Sequence, residues 1–154
     1  MGADNQQERL NTEWIVGFVD GEGCFHVSLN KMQKMTLGWQ VLPEFRVVQH
    51  QRDEFLLFKF KEFFGFGEVK KNHDERKEFR VRGLENLNKI VEFFKTNQLR
   101  TSKRKNFEIF SEIILMMNNK EHLKKEGLKR IANLSSKMNR QVKSRYLESS
   151  ETAR

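Results

Sequence analysis

Ile15-Val16-Gly17-Phe18-Val19-Asp20-Gly21-Glu22-Gly23-Cys24-Phe25 is the stretch on which the reading of the fold turns. Thr12 stands before it as a candidate N-cap for a short, mostly apolar helix. Ile15, Val16, Val19 and two glycines all lower helix propensity, so tertiary contacts must hold such a helix. Gly17 and Gly21 are four apart and share one helix face, where small residues let a second helix approach backbone to backbone. Asp20 and Glu22 fall at the helix C-terminus, where the macrodipole disfavours carboxylates, and a compensating cation fits there. For an ordinary pair of carboxylates, local hydrogen bonds and solvation explain the same pattern.

Outward from this helix the period changes. Cys24 to Lys31 alternates, with Phe25, Val27 and Leu29 on one face. After a polar loop, Trp39 to His50 alternates again, with Val41, Phe45 and Val47 inward and Gln40, Leu42, Glu44, Arg46 and Val48 outward. Pro43 predicts an edge position or a bulge. The segment from Asp53 to Phe64 predicts a helix whose aromatic stripe, from Phe55 to Phe64, belongs to the core. Gly65-Phe66-Gly67 ends it as a turn, since it lacks the third glycine of a dinucleotide-binding loop. A second hairpin spans Glu68 to Arg82, with Val69, Phe79 and Val81 inward. Helices follow over Glu85 to Asn97, Lys103 to Met117 and His122 to Asn139, the last tolerating Gly127.

The order is α+β, αββαββα with extra C-terminal helices, and it reads as a weak duplication of an αββ unit. Residues 1–11 are expected to be flexible, 12–139 to form one domain, and the polar tail 140–154 to be disordered. Four antiparallel strands backed on one face by helices leave the other face bare. That face carries His26, Ser28 and Asn30 on the first strand and Gln40, Glu44 and Arg46 on the second. The second hairpin adds Lys70, Asn72, Arg80 and Arg82. These side-chain types hydrogen-bond base edges and phosphates, and a two-stranded ribbon fits the major groove. An ordinary solvated strand face is the plainer alternative.

Composition narrows the function classes. The chain has 154 residues, 37% of them hydrophobic and 14 of them Phe, against a single Pro, which excludes a disordered polar tract. One compact domain is the expectation at this length. No apolar run approaches the roughly 18 residues needed to span a bilayer, and Met1 to Glu13 is polar, so a soluble, non-secreted protein is expected. One cysteine, Cys24, and four histidines supply neither a disulfide framework nor a zinc spacing. The net charge is +8, and it is uneven: residues 70–105 carry a net +7 while 1–69 carry a net −3. Such a patch attracts a polyanion such as nucleic acid, or an anionic membrane surface, although a Lys-rich solvated surface looks the same in composition.

Taken together, Gly17 to Phe25, Gln49, the Phe-Gly-Phe-Gly turn at 64–67, Ser102-Lys103-Arg104-Lys105 and Met138-Asn139 resemble the LAGLIDADG homing endonucleases over residues 12–139. The resemblance implies that two signature helices pack at a two-fold axis and that the sheets form a DNA-binding saddle. It implies a metal-binding Glu22, with the Gly21 carbonyl assisting, where many members have Asp. Asp20 would then buttress the helix. Gln49 matches a polar residue that organises water near the scissile phosphate, and Lys103 a lysine that stabilises charge or tunes that water. Arg104 and Lys105 are neighbouring alternatives for Lys103. Arg52 stands near a further basic position, although the direct match falls at Asp53.

One signature in one chain implies a homodimer, with Gly17, Phe18 and Gly21 at its interface, and a long pseudo-palindromic duplex site cut with a stagger across its minor groove. The implied cofactor is Mg²⁺, which suits an all-oxygen site, with Mn²⁺ or Ca²⁺ able to occupy it. The implied setting is an organelle whose intron encodes the protein, or a prokaryotic cytoplasm. A noncatalytic binder on the same fold, an intron RNA maturase or a repressor, is the alternative of a different class.

Overall fold

The computed structural model describes residues 10–139 and 144–152, with side chains to 149. Helix α1 spans Thr12–Glu22. Its N-cap is Asn11 and not Thr12: the Asn11 side chain accepts from the Trp14 N–H at 2.7 Å. This satisfies one of the orphan donors of the first turn. The helix passes into strand β1, Gly23–Lys31, without a loop. Gly23 makes that junction possible, because a Cβ there would lie 2.6 Å from Val19 Cγ1 and 2.9 Å from the Val19 carbonyl oxygen.

Strand β2, Trp39–His50, pairs with β1 in a register that sets Phe25 opposite Phe45 and Cys24 opposite Arg46. Strands β3, Glu68–Lys71, and β4, Arg76–Val81, complete an antiparallel sheet of order β1-β2-β4-β3. β2 is thus a central strand over Phe45–His50, while Pro43 keeps the local edge position expected of it. β4 pairs only with Phe45–His50, so at Pro43 the sheet has β1 alone as neighbour and the missing N–H forfeits no bond to β4.

Four helices back the inner face: α2 (Glu54–Phe64), α3 (Leu84–Thr96), α4 (Lys103–Asn118) and α5 (Lys125–Ser135). Phe25 sits at the centre of the core, with ring centroids 5.1 Å from Phe45 and 5.3 Å from both Phe107 and Phe110. Each fully buried ring of this kind contributes about 1.5–3 kcal/mol of transfer free energy. Among the described residues no helix is long and apolar enough to cross a membrane.

The structure corrects several expectations. In α2, Phe55 and Phe58 are 56% and 52% exposed, and Leu57 takes the buried position beside Phe60. An aromatic-rich helix at the sheet margin has more apolar side chains than one face can bury. The region from His122 is not one continuous helix: a 3₁₀ turn over Glu121–Leu123 breaks at Lys124 before α5 begins. Gly127 is required there rather than tolerated, because a Cβ would overlap the Glu121 carbonyl oxygen.

The tail is ordered over Arg145–Thr152 as helix α6, whose Tyr146 ring meets Trp39 edge-on at 5.4 Å. That contact supplies burial which the polar composition does not advertise. Residues 140–143 and 153–154 of the tail, and 1–9 of the N-terminal stretch, lie outside the described residues.

Candidate functional site

The C-terminal end of α1 is tied into the protein by a two-way clamp. The Asp20 carboxylate accepts from the Arg100 N–H at 3.0 Å, the Thr101 N–H at 3.1 Å and the Thr101 hydroxyl at 2.8 Å. In return, the Lys103 ammonium donates to the carbonyls of Val19 at 2.9 Å and Asp20 at 3.1 Å. A cation placed on the last carbonyls of a helix is where the macrodipole favours it. Partial burial pushes the Asp20 carboxyl upward, but the hydrogen bonds from Arg100 and Thr101, with Lys103 nearby, outweigh it and hold the group below its ordinary value. Burial pulls the Lys103 ammonium below its usual range, against the opposing pull of Cys24, Asp20 and Glu22.

The three basic residues of 103–105 therefore separate. Lys103 reaches the helix end, Arg104 pairs with Glu108 on its own helix at 3.4 Å, and Lys105 is exposed.

Glu22 closes the same helix end. Its side chain is exposed and makes no hydrogen bond or ion pair among the described residues, and no basic residue lies in the last turn of the helix. Among the described residues no three His, Cys, Asp or Glu side chains converge as a metal cluster. What one chain offers a hard cation is a free carboxylate at the negative end of a helix, with the Gly21 carbonyl beside it. Such an all-oxygen set fits Mg²⁺ or Ca²⁺, whose remaining ligands must come from water, phosphate or a second chain.

β2 brings Gln49 two residues beyond Val47, which pairs with Gly23 at the end of α1. The Gln49 Oε1 accepts from the His50 N–H at 3.0 Å, and its amide NH₂ has no partner among the described residues. His50 Nδ1 accepts from the Arg52 N–H at 3.1 Å, and its Nε2 lies 3.0 Å from Glu75 Oε2, so the hairpin tip buttresses this corner. The Arg52 side chain is exposed, with no side-chain partner among the described residues.

The glycine face of α1 is open. A Cβ at Gly17 or Gly21 would meet nothing within 4 Å. Trp14 is 38% exposed on the same face and stacks on Phe18 at 4.9 Å, and both rings rest on Phe60.

On the outer sheet face the register aligns Cys24, Arg46, Arg80 and Glu68 in one row and Val48, Glu78 and Lys70 in the next. Ser28, Asn30 and Gln40 stand toward the free end of the first hairpin, with Asn30 donating to the Ser28 hydroxyl at 3.1 Å. Asn72 donates to Glu78 at 3.1 Å.

Glu44 departs from the expectation of an exposed contact residue. It is buried on this face between Arg82 at 2.8 Å and Arg46 at 3.3 Å, with His26 at 3.8 Å. Burial first, then repulsion from Arg46, lower the His26 imidazole, with Glu44 opposing, so His26 is neutral at neutral pH and its approach to Glu44 is not an ion pair. The sequence reading also missed Arg100 and Thr101, which meet Asp20 across 80 and 81 positions with no local signal. A glutamate two residues from Arg46 on the same face of its strand was the available clue to Glu44.

Comparison with known proteins agrees with this geometry. A family model described as LAGLIDADG endonuclease matches residues 15–114. Among solved structures, the homing endonuclease I-TnaI is similar with a TM-score of 0.90 and 46% identity, over 95% of this chain and 99% of that one. The I-SmaMI LAGLIDADG homing endonuclease bound to cleaved DNA gives 0.88 and 35% identity, over 94% of this chain and 49% of that one. Among curated proteins, the probable intron-encoded endonuclease 3 of Neurospora crassa is 30% identical over 138 residues, 88% of this chain. An uncharacterized 50.9 kDa protein in ND4 intron 1 of Podospora anserina is 34% identical over 118 residues, 75% of this chain. The chain spans 26% of the length of each of these two curated relatives.

Proposed function

The chain belongs to the LAGLIDADG endonuclease family, and from that premise we propose that it is a site-specific, metal-dependent DNA endonuclease acting as a homodimer. The observation that carries the reading is the end of α1. Glu22, without a hydrogen bond or ion pair among the described residues, stands near the clamped Lys103 at the end of a helix whose glycine face is open. The described residues present one such helix end, half of a two-fold arrangement, and in this reading a second copy supplies the other half.

Glu22 and the Gly21 carbonyl are the groups that would hold a divalent cation, Mg²⁺ by the chemistry of the oxygen donors. When bound, the cation lowers the pKa of water and offsets charge on the phosphate. The chain's own groups do the rest. Lys103, held on the helix-end carbonyls, keeps a positive charge beside the phosphodiester and, with its lowered pKa, releases a proton more readily than a solvated lysine. Gln49, its oxygen occupied by the His50 N–H, offers amide protons to orient water or a phosphate oxygen. Arg52 is free to take a flanking phosphate. His26, Ser28, Asn30, Gln40, Arg46, Lys70, Asn72, Arg80 and Arg82 line the face that meets the duplex. Phosphate contacts there give affinity, and base edges give specificity. Two such faces cover a site of roughly 20 base pairs. Relatives named as intron-encoded support an intron-borne gene in an organelle.

The test is selection from a large pool of duplex DNA in Mg²⁺, beside a chelated control and Glu22→Gln. A long, roughly palindromic site cut by the wild type alone, and only with metal, is the expected result. Glu22→Gln should bind that site without cutting it. Metal-dependent cutting by Glu22→Gln removes the carboxylate from its assigned role. Sites bound but never cut by the wild type would replace the endonuclease with a noncatalytic binder.

A further inference from the structure

Glu44 lies on the outward face of β2, among the basic side chains assigned above to DNA, yet it is only 6% exposed. A carboxylate in that place repels phosphate, and burying it is costly unless it is paired. It is paired twice. Oε2 accepts from Arg82 Nε at 2.8 Å, and Oε1 lies 3.3 Å from Arg46 Nε. Both arginines approach through Nε, Arg82 in a hydrogen bond and Arg46 as an ion pair whose buried Nε makes no hydrogen bond, and neither makes a hydrogen bond from its terminal nitrogens among the described residues. Arg82 is therefore held near its root by a hydrogen bond and Arg46 by charge, each with its outer fork unengaged.

The crowding matters as well. Arg46 faces Arg80 across the β2–β4 pair, and Arg82 stands just past the end of β4, so three guanidinium groups share one patch. Arg80 has its nearest carboxylate, Glu68, at 4.0 Å. Without an anion between them, Arg46 and Arg82 would repel and disperse over many rotamers. The fork of Arg is the group that binds guanine O6 and N7 in pairs, and a fork fixed before binding loses less freedom per bond formed.

We propose that Glu44 touches no DNA and is a positioning residue for sequence readout, presenting Arg46 and Arg82 as a fixed pair of forks to neighbouring base pairs of each half-site. The inference rests on the DNA-binding reading above, and it adds the division of labour within that face. His26, the third neighbour of Glu44 at 3.8 Å, covers the carboxylate from the β1 side.

The experiment compares wild type, Glu44→Gln, Arg82→Lys and the double variant on a target library carrying every single-base change. In parallel, Arg Nε–H resonances are recorded for the free proteins. Glu44→Gln should cut the preferred site within about threefold of wild type while losing roughly tenfold discrimination at neighbouring positions in each half-site and none elsewhere. Adding Arg82→Lys should cost little more at those positions, because the two act as one unit. A slowly exchanging Nε–H signal of Arg82 should be lost in Glu44→Gln.

An unchanged base-preference profile, or a uniform loss at every position, overturns the proposal; the second would mark the arginines as phosphate contacts. If Glu44→Gln does not fold, Glu44→Asp, which keeps the charge but withdraws it by one methylene, must show the same localised loss or the proposal falls. If wild type neither binds nor cuts duplex DNA, the DNA-binding reading fails and this role with it, whereas intact DNA cleavage with an unaltered profile in the variant fails the positioning role alone.

Discussion

Replacing Asp20 by alanine removes the acceptor for three donors that join α1 to the segment before α4. The Arg100 N–H lies at 3.0 Å, the Thr101 N–H at 3.1 Å and the Thr101 hydroxyl at 2.8 Å. Hydrogen bonds to a charged acceptor contribute about 1.5–3 kcal/mol each when sheltered from water. Here the donors are exposed and regain water when the carboxylate is lost, so the sum falls to about 2 kcal/mol. For a domain of this size that is a fall in Tm of about 4–8 °C.

Asp20→Asn keeps one oxygen within reach of all three donors, because Oδ1 lies 3.2 Å from the Arg100 N–H as well as near both Thr101 groups. It loses the charge and turns an NH₂ toward one donor, and should cost about half as much. Thr101→Val deletes the hydroxyl's bond to Asp20 and its long 3.3 Å acceptance from the Lys103 N–H, together about 1 kcal/mol. In the Asp20→Ala background the same change should cost clearly less, since the Asp20 partner is already gone and only the long bond from the Lys103 N–H remains to lose. Thermal unfolding of the four proteins closes the cycle. Additive losses from Asp20→Ala and Thr101→Val would refute the clamp. A functional readout accompanies it: Lys103 holds the Val19 and Asp20 carbonyls of the same helix end, so single-turnover cutting should slow in Asp20→Ala at temperatures where the protein remains folded.

Gly17→Leu should leave the isolated chain as stable or stabilise it by roughly 1 kcal/mol, since its Cβ meets open space and leucine is the better helix former, while sedimentation shows the dimer weakened. A dimer of unchanged affinity would move the interface elsewhere. Gly127→Ala opposes helix propensity to packing: propensity alone stabilises by about 1 kcal/mol. The overlap with the Glu121 backbone should instead destabilise by about 2–3 kcal/mol, and a raised Tm would refute the close approach. Stability should decline with acidification below the ordinary histidine value of 6.5, because burial lowers both His26 and His122. The unfolded chain then binds protons that the folded one resists, so the stabilisation is present above 6.5 and lost as pH falls through the lowered folded values. Substituting both by glutamine should flatten the denaturation curves against pH, and superimposable slopes in wild type and variant would refute it.

The alternation of Phe25, Val27 and Leu29, and of Phe45 and Val47, was readable because this sheet packs on one side only. A period of two then reports burial directly. The same logic failed at Glu44. Alternation says which face a residue takes, not how deeply neighbouring arginines cover it. It failed at Phe55 and Phe58 for the opposite reason, since an aromatic side chain at helical spacing is not obliged to find the core. Gly127 was opaque because the group it must avoid belongs to a separate turn six residues earlier. The helix over Arg145–Thr152 was hidden by its polar composition, and the seating of Tyr146 against Trp39 and of Leu147 against the core gives it a reason to form.

The candidate site divides along the same line. The helix end is legible because its chemistry is local: a carboxylate at a helix C-terminus is an unfavourable placement that asks for a cation, and Glu22 makes no hydrogen bond or ion pair among the described residues. What makes that end usable is nonlocal. Asp20 and Lys103 cross-link it from opposite directions, the carboxylate to backbone N–H groups of the 100–101 segment and the ammonium to the carbonyls of α1. Each anchor lies beside the other's partner, so a shift of α4 that lengthens one set of bonds must strain the other. The charges that satisfy the helix end are therefore also its position gauge. A cation held by Glu22 would be located relative to Lys103 by the backbone of two helices rather than by the rotamers of two exposed side chains.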